Sequence, residues 1–124
     1  MPIAYLDVHE GIEIEEKKVL VKDIHDAMRE VYPPGDLRVY VREWPVDSVS
    51  QDGQVGWERP RLVFQFLGPG LAIEVKRKMM KAVTAAVANA YNNTPDFAVF
   101  LQEYPDDQVA LNGKLVADLL ADKK

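Results

Sequence analysis

Shifted by 60 residues, the chain meets itself. Glu43-Trp44-Pro45-Val46-Asp47-Ser48-Val49 falls on Glu103-Tyr104-Pro105-Asp106-Asp107-Gln108-Val109, and Asp52-Gly53 falls on Asn112-Gly113. Duplicated segments fold alike, so the architecture has to be one supersecondary unit used twice. The 124 residues are one domain's worth of chain. The reading is therefore a single domain over 1–124, with repeats at 2–53 and 60–113.

Periodicity gives the content of the unit. Ile3 to Val8 is a short apolar run closed by His9-Glu10-Gly11. From Glu13 onward, Leu20, Ile24, Ala27, Met28 and Val31 recur at three- and four-residue spacing, which places them on one face of a helix. Tyr32-Pro33-Pro34-Gly35 stops it. Leu37 to Glu43 alternates Leu37, Val39 and Val41 against Arg38, Tyr40 and Arg42, the period of a strand with one apolar side. The second copy runs Arg61 to Leu67 as strand and Gly68-Pro69-Gly70 as turn. Its helix stripe is Val75, Met79, Val83, Ala86, Val87 and Ala90, broken over Asn92 to Asp96, and Phe97 to Gln102 is the fourth strand. Ser50 to Pro60 links the halves, and the tail after Val116 reads as a short helix end fraying at Lys123 and Lys124.

The fold class that follows is α+β: tandem β-α-β units, strands parallel within each unit through a right-handed crossover, and both helices on one face of a four-stranded sheet. The other face carries Phe100 and either Ile3 and Tyr5 or Ala4 and Leu6. A half-apolar face of this size predicts burial against further copies of the chain.

Composition removes several functions. Fifteen Lys and Arg against twenty Asp and Glu leave a charge of -5, which repels nucleic acid and anionic lipid. Zero cysteines exclude disulfides, thiolate catalysis and zinc-finger sites. The lead MPIAYLDVHEG has neither the basic start nor the apolar core of a signal peptide, and no apolar run is long enough for a bilayer span, so a soluble cytoplasmic protein is expected. The two histidines, His9 and His25, make no metal site by themselves. Gly68-Pro69-Gly70 lacks the Pro69 N–H that a phosphate cradle needs, and no dinucleotide fingerprint occurs.

Pro2 carries the distinctive chemistry. A methionine followed by proline is commonly trimmed, and an N-terminal proline is a secondary amine, with α-amino groups titrating at about 7.7 to 8.0. Such a nitrogen can carry protons to and from a carbon beside a carbonyl. Arg38 reads either as a solvated strand charge or as a carboxylate-binding fork. Asp36 reads either as a turn aspartate after Pro-Pro-Gly or as an acidic partner in the chemistry. Tyr40 and Trp57 are candidates to line a pocket. Arg59 and Arg61 flank Pro60, which occupies the place of Pro2 in the second copy but is an amide without basicity.

Met-Pro-Ile leading into a β-α-β unit, with Glu10-Gly11 after the first strand and Glu-x-Pro turns repeated, resembles the tautomerase superfamily, whose enzymes use an N-terminal proline. Two fused units look more like the longer, homotrimeric members. Ile24-His25-Asp26-Ala27-Met28 followed by Pro34-Gly35-Asp36 is similar to malonate semialdehyde decarboxylase. The resemblance implies a cofactor-independent keto–enol tautomerase or related lyase on a small carboxylate substrate, a 2-oxo or 3-oxo acid. It puts Pro2 and Asp36 in catalysis and Arg38 on the substrate carboxylate, and the residues themselves add Tyr40 as a pocket wall and Arg61 as a replacement cation among the substrate-binding candidates. The sequence departs from the family pattern at Ile12, Gly68 and Gly70, where arginines are expected, and at Phe100 and Leu111, where a tyrosine and a glutamate are expected. Those departures favour a second reading, a catalytically silent trimer of the same fold that binds a small ligand or a protein partner.

Overall fold

A computed structural model describes residues 2–56, 61–91 and 95–121. Met1, Trp57, Arg59, Pro60, Asn92, Lys123 and Lys124, all used in the sequence reading, lie outside the described residues. The first unit comprises β1 (Ile3–His9), α1 (Ile14–Arg29) and β2 (Arg38–Trp44). A 3-10 turn (Val46–Ser48) and a small hairpin of β3 (Ser50–Gln51) and β4 (Gln54–Val55) follow. The order then recurs as β5 (Leu62–Gly68), α2 (Ile73–Ala90), β6 (Phe97–Glu103), a 3-10 turn (Asp106–Gln108) and a hairpin of β7 (Ala110–Leu111) and β8 (Lys114–Leu115). A short helix, α3 (Val116–Ala121), closes the described chain.

The four long strands form one sheet in the order β2-β1-β5-β6. Each unit pairs its own strands in parallel, as expected, and the units join antiparallel through β1 and β5, with Ile3 opposite Leu67 and Asp7 opposite Val63. Both helices lie on the same side of the sheet and pack on one another. Ala4, Leu6 and Val8 from β1 and Leu62, Phe64 and Phe66 from β5 face Leu20, Ile24, Met28, Met79, Val83 and Val87 from the helices, all within 2% of full burial. Burying a side chain the size of Phe64 or Phe66 contributes about 2–3 kcal/mol, so the two central strands carry much of the core.

The long strands shift by a residue at their ends, with Leu37 and Arg61 falling outside β2 and β5, and other boundaries also differ from the periodic reading. His9 and Gly68 belong to strands and not to turns, because they pair with Trp44 and Glu103 respectively. Val31 falls beyond α1, where its N–H turns back to the carbonyl of Met28. The stretch after Ser50 contains a hairpin: Asp52 and Gly53 have φ of 53° and 80°, and Asn112 and Gly113 have φ of 52° and 85°. Two successive positive φ values make the tight turn whose twist suits paired strands.

The duplication is uneven in an informative way. Inward-facing sheet residues recur at 60, Ala4 matching Phe64 and Val39 matching Val99, whereas the helix stripes recur at 59, Leu20 matching Met79 and Ile24 matching Val83. By sheet register the counterpart of Pro2 is Leu62 and not Pro60.

Candidate active site

Pro2 is buried at the head of β1, and its carbonyl accepts the backbone N–H of Arg38 at 3.4 Å. Arg38 is opposite Ile3 in the register, so its side chain emerges on the helix-free face one residue from Pro2. There the Arg38 Nε lies 3.2 Å from Asp36 Oδ2, and Nη1 donates to the Tyr40 hydroxyl at 3.4 Å. The Tyr40 hydroxyl and the Asp36 carboxylate both raise the guanidinium pKa. Tyr40 stacks on Tyr5 with centroids 5.4 Å apart. Of the residues singled out in the sequence, Asp36, Arg38 and Tyr40 come together on the helix-free face, and Pro2 is joined to them through its backbone bond to Arg38.

The loop that carries Asp36 is held by a residue the periodic reading missed. Arg29, at the end of α1, donates to the carbonyls of Pro33 and Gly35 at 2.8 Å each, fixing the Pro-Pro-Gly turn on its way into β2. An arginine four residues before a double proline is an available signal, since a helix-end cation has free carbonyls within reach.

Arg61 does not join this group within one chain. Because β5 runs antiparallel to β1, the start of β5 lies at the far end of β1, about 20 Å from Pro2 at the rise of an extended strand. There Arg61 borders a cavity of about 480 Å³ with His9, Arg42, Trp44 and Ser48. A second missed cluster lies beside it. Arg42 Nε and Nη2 each donate to Asp7 at 2.8 Å, the Trp44 indole donates to the same carboxylate at 2.8 Å, and the guanidinium sits 4.7 Å from the centre of the Tyr5 ring.

No protein-family model and no curated protein matches this chain. Solved structures do. A fused 4-OT described as a wild-type symmetric trimer superposes with a TM-score of 0.79 at 21% identity, covering 93% of this chain and 96% of that one. Pt0534 inactivated by 2-oxo-3-pentynoate gives 0.81 at 20%, covering 94% and 98%. Malonate semialdehyde decarboxylase gives 0.69 at 20%, covering 97% and 98%. The chain has the tautomerase-superfamily fold.

On the tautomerase fold, the substitutions at Ile12, Gly68 and Gly70 acquire physical meaning. Gly68, one step past the Ile3–Leu67 pair, is buried, and a Cβ there would lie 2.8 Å from the ring and the hydroxyl oxygen of Tyr32. Tyr32 thus occupies the space an arginine stem would need. Gly70 has room, with only the Glu103 carboxylate at 3.5 Å from a built Cβ. Glu103 is itself held by Lys76 and by the N–H of Leu71, which lower its pKa. Ile12 packs against the core, with its neighbour Glu10 hydrogen-bonded through its backbone to Trp44. Among the described residues, no helix is long and apolar enough to cross a membrane.

Proposed function

We propose that the protein, once Met1 is removed, is a cofactor-independent tautomerase or related lyase acting on a small 2-oxo or 3-oxo acid, with Pro2 as the acid–base group. The observation that carries this is the burial of Pro2 at the head of β1, one residue from the Arg38–Tyr40–Asp36 cluster, in the fold of the structures described above. The free amine form takes a proton from the carbon beside the substrate carbonyl and returns it to the other end of the enolate. Arg38 holds the carboxylate with the guanidinium N–H groups that Asp36 and Tyr40 leave open. Asp36 orients Arg38, and the Tyr40–Tyr5 stack forms the wall beside it. In the lyase variant, protonated Pro2 polarises the carbonyl. The half-apolar sheet face supports assembly as a homotrimer, the state given for a fused 4-OT of this fold.

The test is deuterium exchange at C3 of 2-oxobutanoate, followed by NMR. Pro2→Ala, which leaves a primary amine, should slow exchange by about 10² or more. Equal rates would remove the role. Because Pt0534 is inactivated by 2-oxo-3-pentynoate, that compound is also expected to add its mass to the peptide beginning at Pro2.

A second reading, a silent trimer that binds a ligand or a protein partner, draws on the Tyr32 ring that fills the space beside Gly68. A retained Met1 in protein from its native host would decide for it, since the Pro2 nitrogen would then be an amide.

A further inference from the structure

The two halves of the sheet are related by a pseudo-twofold, so whatever surrounds Pro2 has an image at the opposite end of the molecule. In that image Leu62 stands at the position of Pro2, Val63 at Ile3, His9 at Pro69 and Trp44 at Tyr104. These image residues line the cavity of about 480 Å³. The volume lies within the range of small-molecule sites. Its chemistry is the reverse of the Pro2 end, where Leu67, Gly68 and Pro69 supply no cation.

The arginines of the chain differ in how their charge is met. Arg42 is neutralised by Asp7, which also takes the Trp44 indole N–H. Arg29 is held by carbonyls, Arg38 by Asp36 and Arg77 by Glu74. Among the described residues, Arg61 is the arginine whose guanidinium has no carboxylate or carbonyl partner. Its backbone is nevertheless fixed, since its N–H donates to Gln51 Oε1 of the first hairpin at 2.9 Å. His9 lines the same cavity, its ring likewise without a partner among the described residues, and Trp44 and Val63 provide apolar surface.

We propose that this end of the sheet is a second ligand site, which holds a small planar carboxylate through Arg61 and His9 against the Trp44 indole and carries out no proton transfer. A guanidinium fork matches a carboxylate, and an indole edge locked by Asp7 matches a planar body. Leu62, at the place of the proline, supplies no amine, so the proton carrier of the Pro2 end has no counterpart here, and His9 serves as a hydrogen-bond donor to the ligand. The inference stands independently of the Pro2 chemistry, because it uses none of the same side chains.

The test is an NMR titration of the full chain with benzoate, with benzamide as the neutral control. Benzoate should shift the Trp44 indole N–H and the His9 and Ser50 amides saturably, and benzamide should not. Arg61→Gln should weaken benzoate about tenfold or more, and Arg61→Lys less, because the charge stays while the fork is lost. Pro2→Ala should leave the affinity within about twofold, so failure of the Pro2 reading and failure of this one separate. Shifts confined to Ile3, Arg38 and Tyr40, equal affinity in Arg61→Gln, or equal response to benzamide would each overturn the site. The spectrum of free Arg61→Gln reports its folding directly, and His9→Gln provides a second variant expected to weaken benzoate in the same direction.

Discussion

Gly68 ends β5 and Gly70 lies two residues beyond it, and the two are expected to answer mutation in opposite ways. At Gly68 an added methyl meets the Tyr32 ring, 4% exposed and packed into the core, so the ring or the strand has to shift. Overpacking of that kind costs about 1–3 kcal/mol. At Gly70 the nearest atom is a carboxylate oxygen at ordinary contact distance, and Gly70→Ala should stay within about 0.5 kcal/mol of the parent. Urea unfolding of the two variants checks both, and an equal response would mean that Tyr32 is not fixed over Gly68. At this scale the sequence was only partly legible. It named Gly68 and Gly70 as places where arginines are absent, but the reason lies in a tyrosine 36 positions away that only the folded chain brings alongside.

Each helix is tied to the far end of its own unit by one ion pair: Lys17 of α1 meets Glu43 of β2 at 3.0 Å, and Lys76 of α2 meets Glu103 of β6. The Glu103 pKa is lowered, first by the Lys76 hydrogen bond and then by the Leu71 N–H. A depressed carboxyl contributes stability that is complete above its unfolded value of 4.5 and lost as pH falls through the lower folded value. Urea midpoints measured from pH 6 down to pH 3 should therefore fall more gently for Glu103→Gln than for the parent, while the variant is the less stable at neutral pH. Parallel acid limbs would remove Glu103 from the linkage. The long elements were legible because apolar residues spaced by two or by three and four survive any tertiary context. The hairpins were not: Asp52-Gly53 and Asn112-Gly113 marked the repeat, but strands of two residues are too short to show alternation. Nor does periodicity record which way β5 runs beside β1, so Arg61 was grouped with Pro2 from which the antiparallel join separates it.

Across the whole molecule, the helix-free face settles the alternative left open by alternation, since Ile3 and Tyr5 share it with Phe100 while Ala4 and Leu6 are buried. Phe100 is 57% exposed, and Tyr40 and Trp44 are 42% exposed. Homotrimer assembly through this face predicts that Phe100→Glu lowers the sedimenting mass at micromolar concentration from three chains towards one. An unchanged mass would place the contact elsewhere. The -5 charge opposes self-association, so association should also strengthen with added salt if apolar contact drives it.

The mismatch between a sheet that repeats at 60 and helices that repeat at 59 has a consequence for exchange of parts. Four residues, 10–13, connect His9 to α1, whereas three, 70–72, connect Pro69 to α2, and the missing residue is restored before β6. Connection and stripe therefore compensate within each half, since Leu20 and Met79 are both the seventh residue of their helices. A chimaera spliced inside the helix by the 60-residue correspondence would bring the downstream part of that helix in one residue out of step, turning core-facing side chains by about 100° around the helix axis. The halves can be exchanged whole, but not residue for residue across the helix.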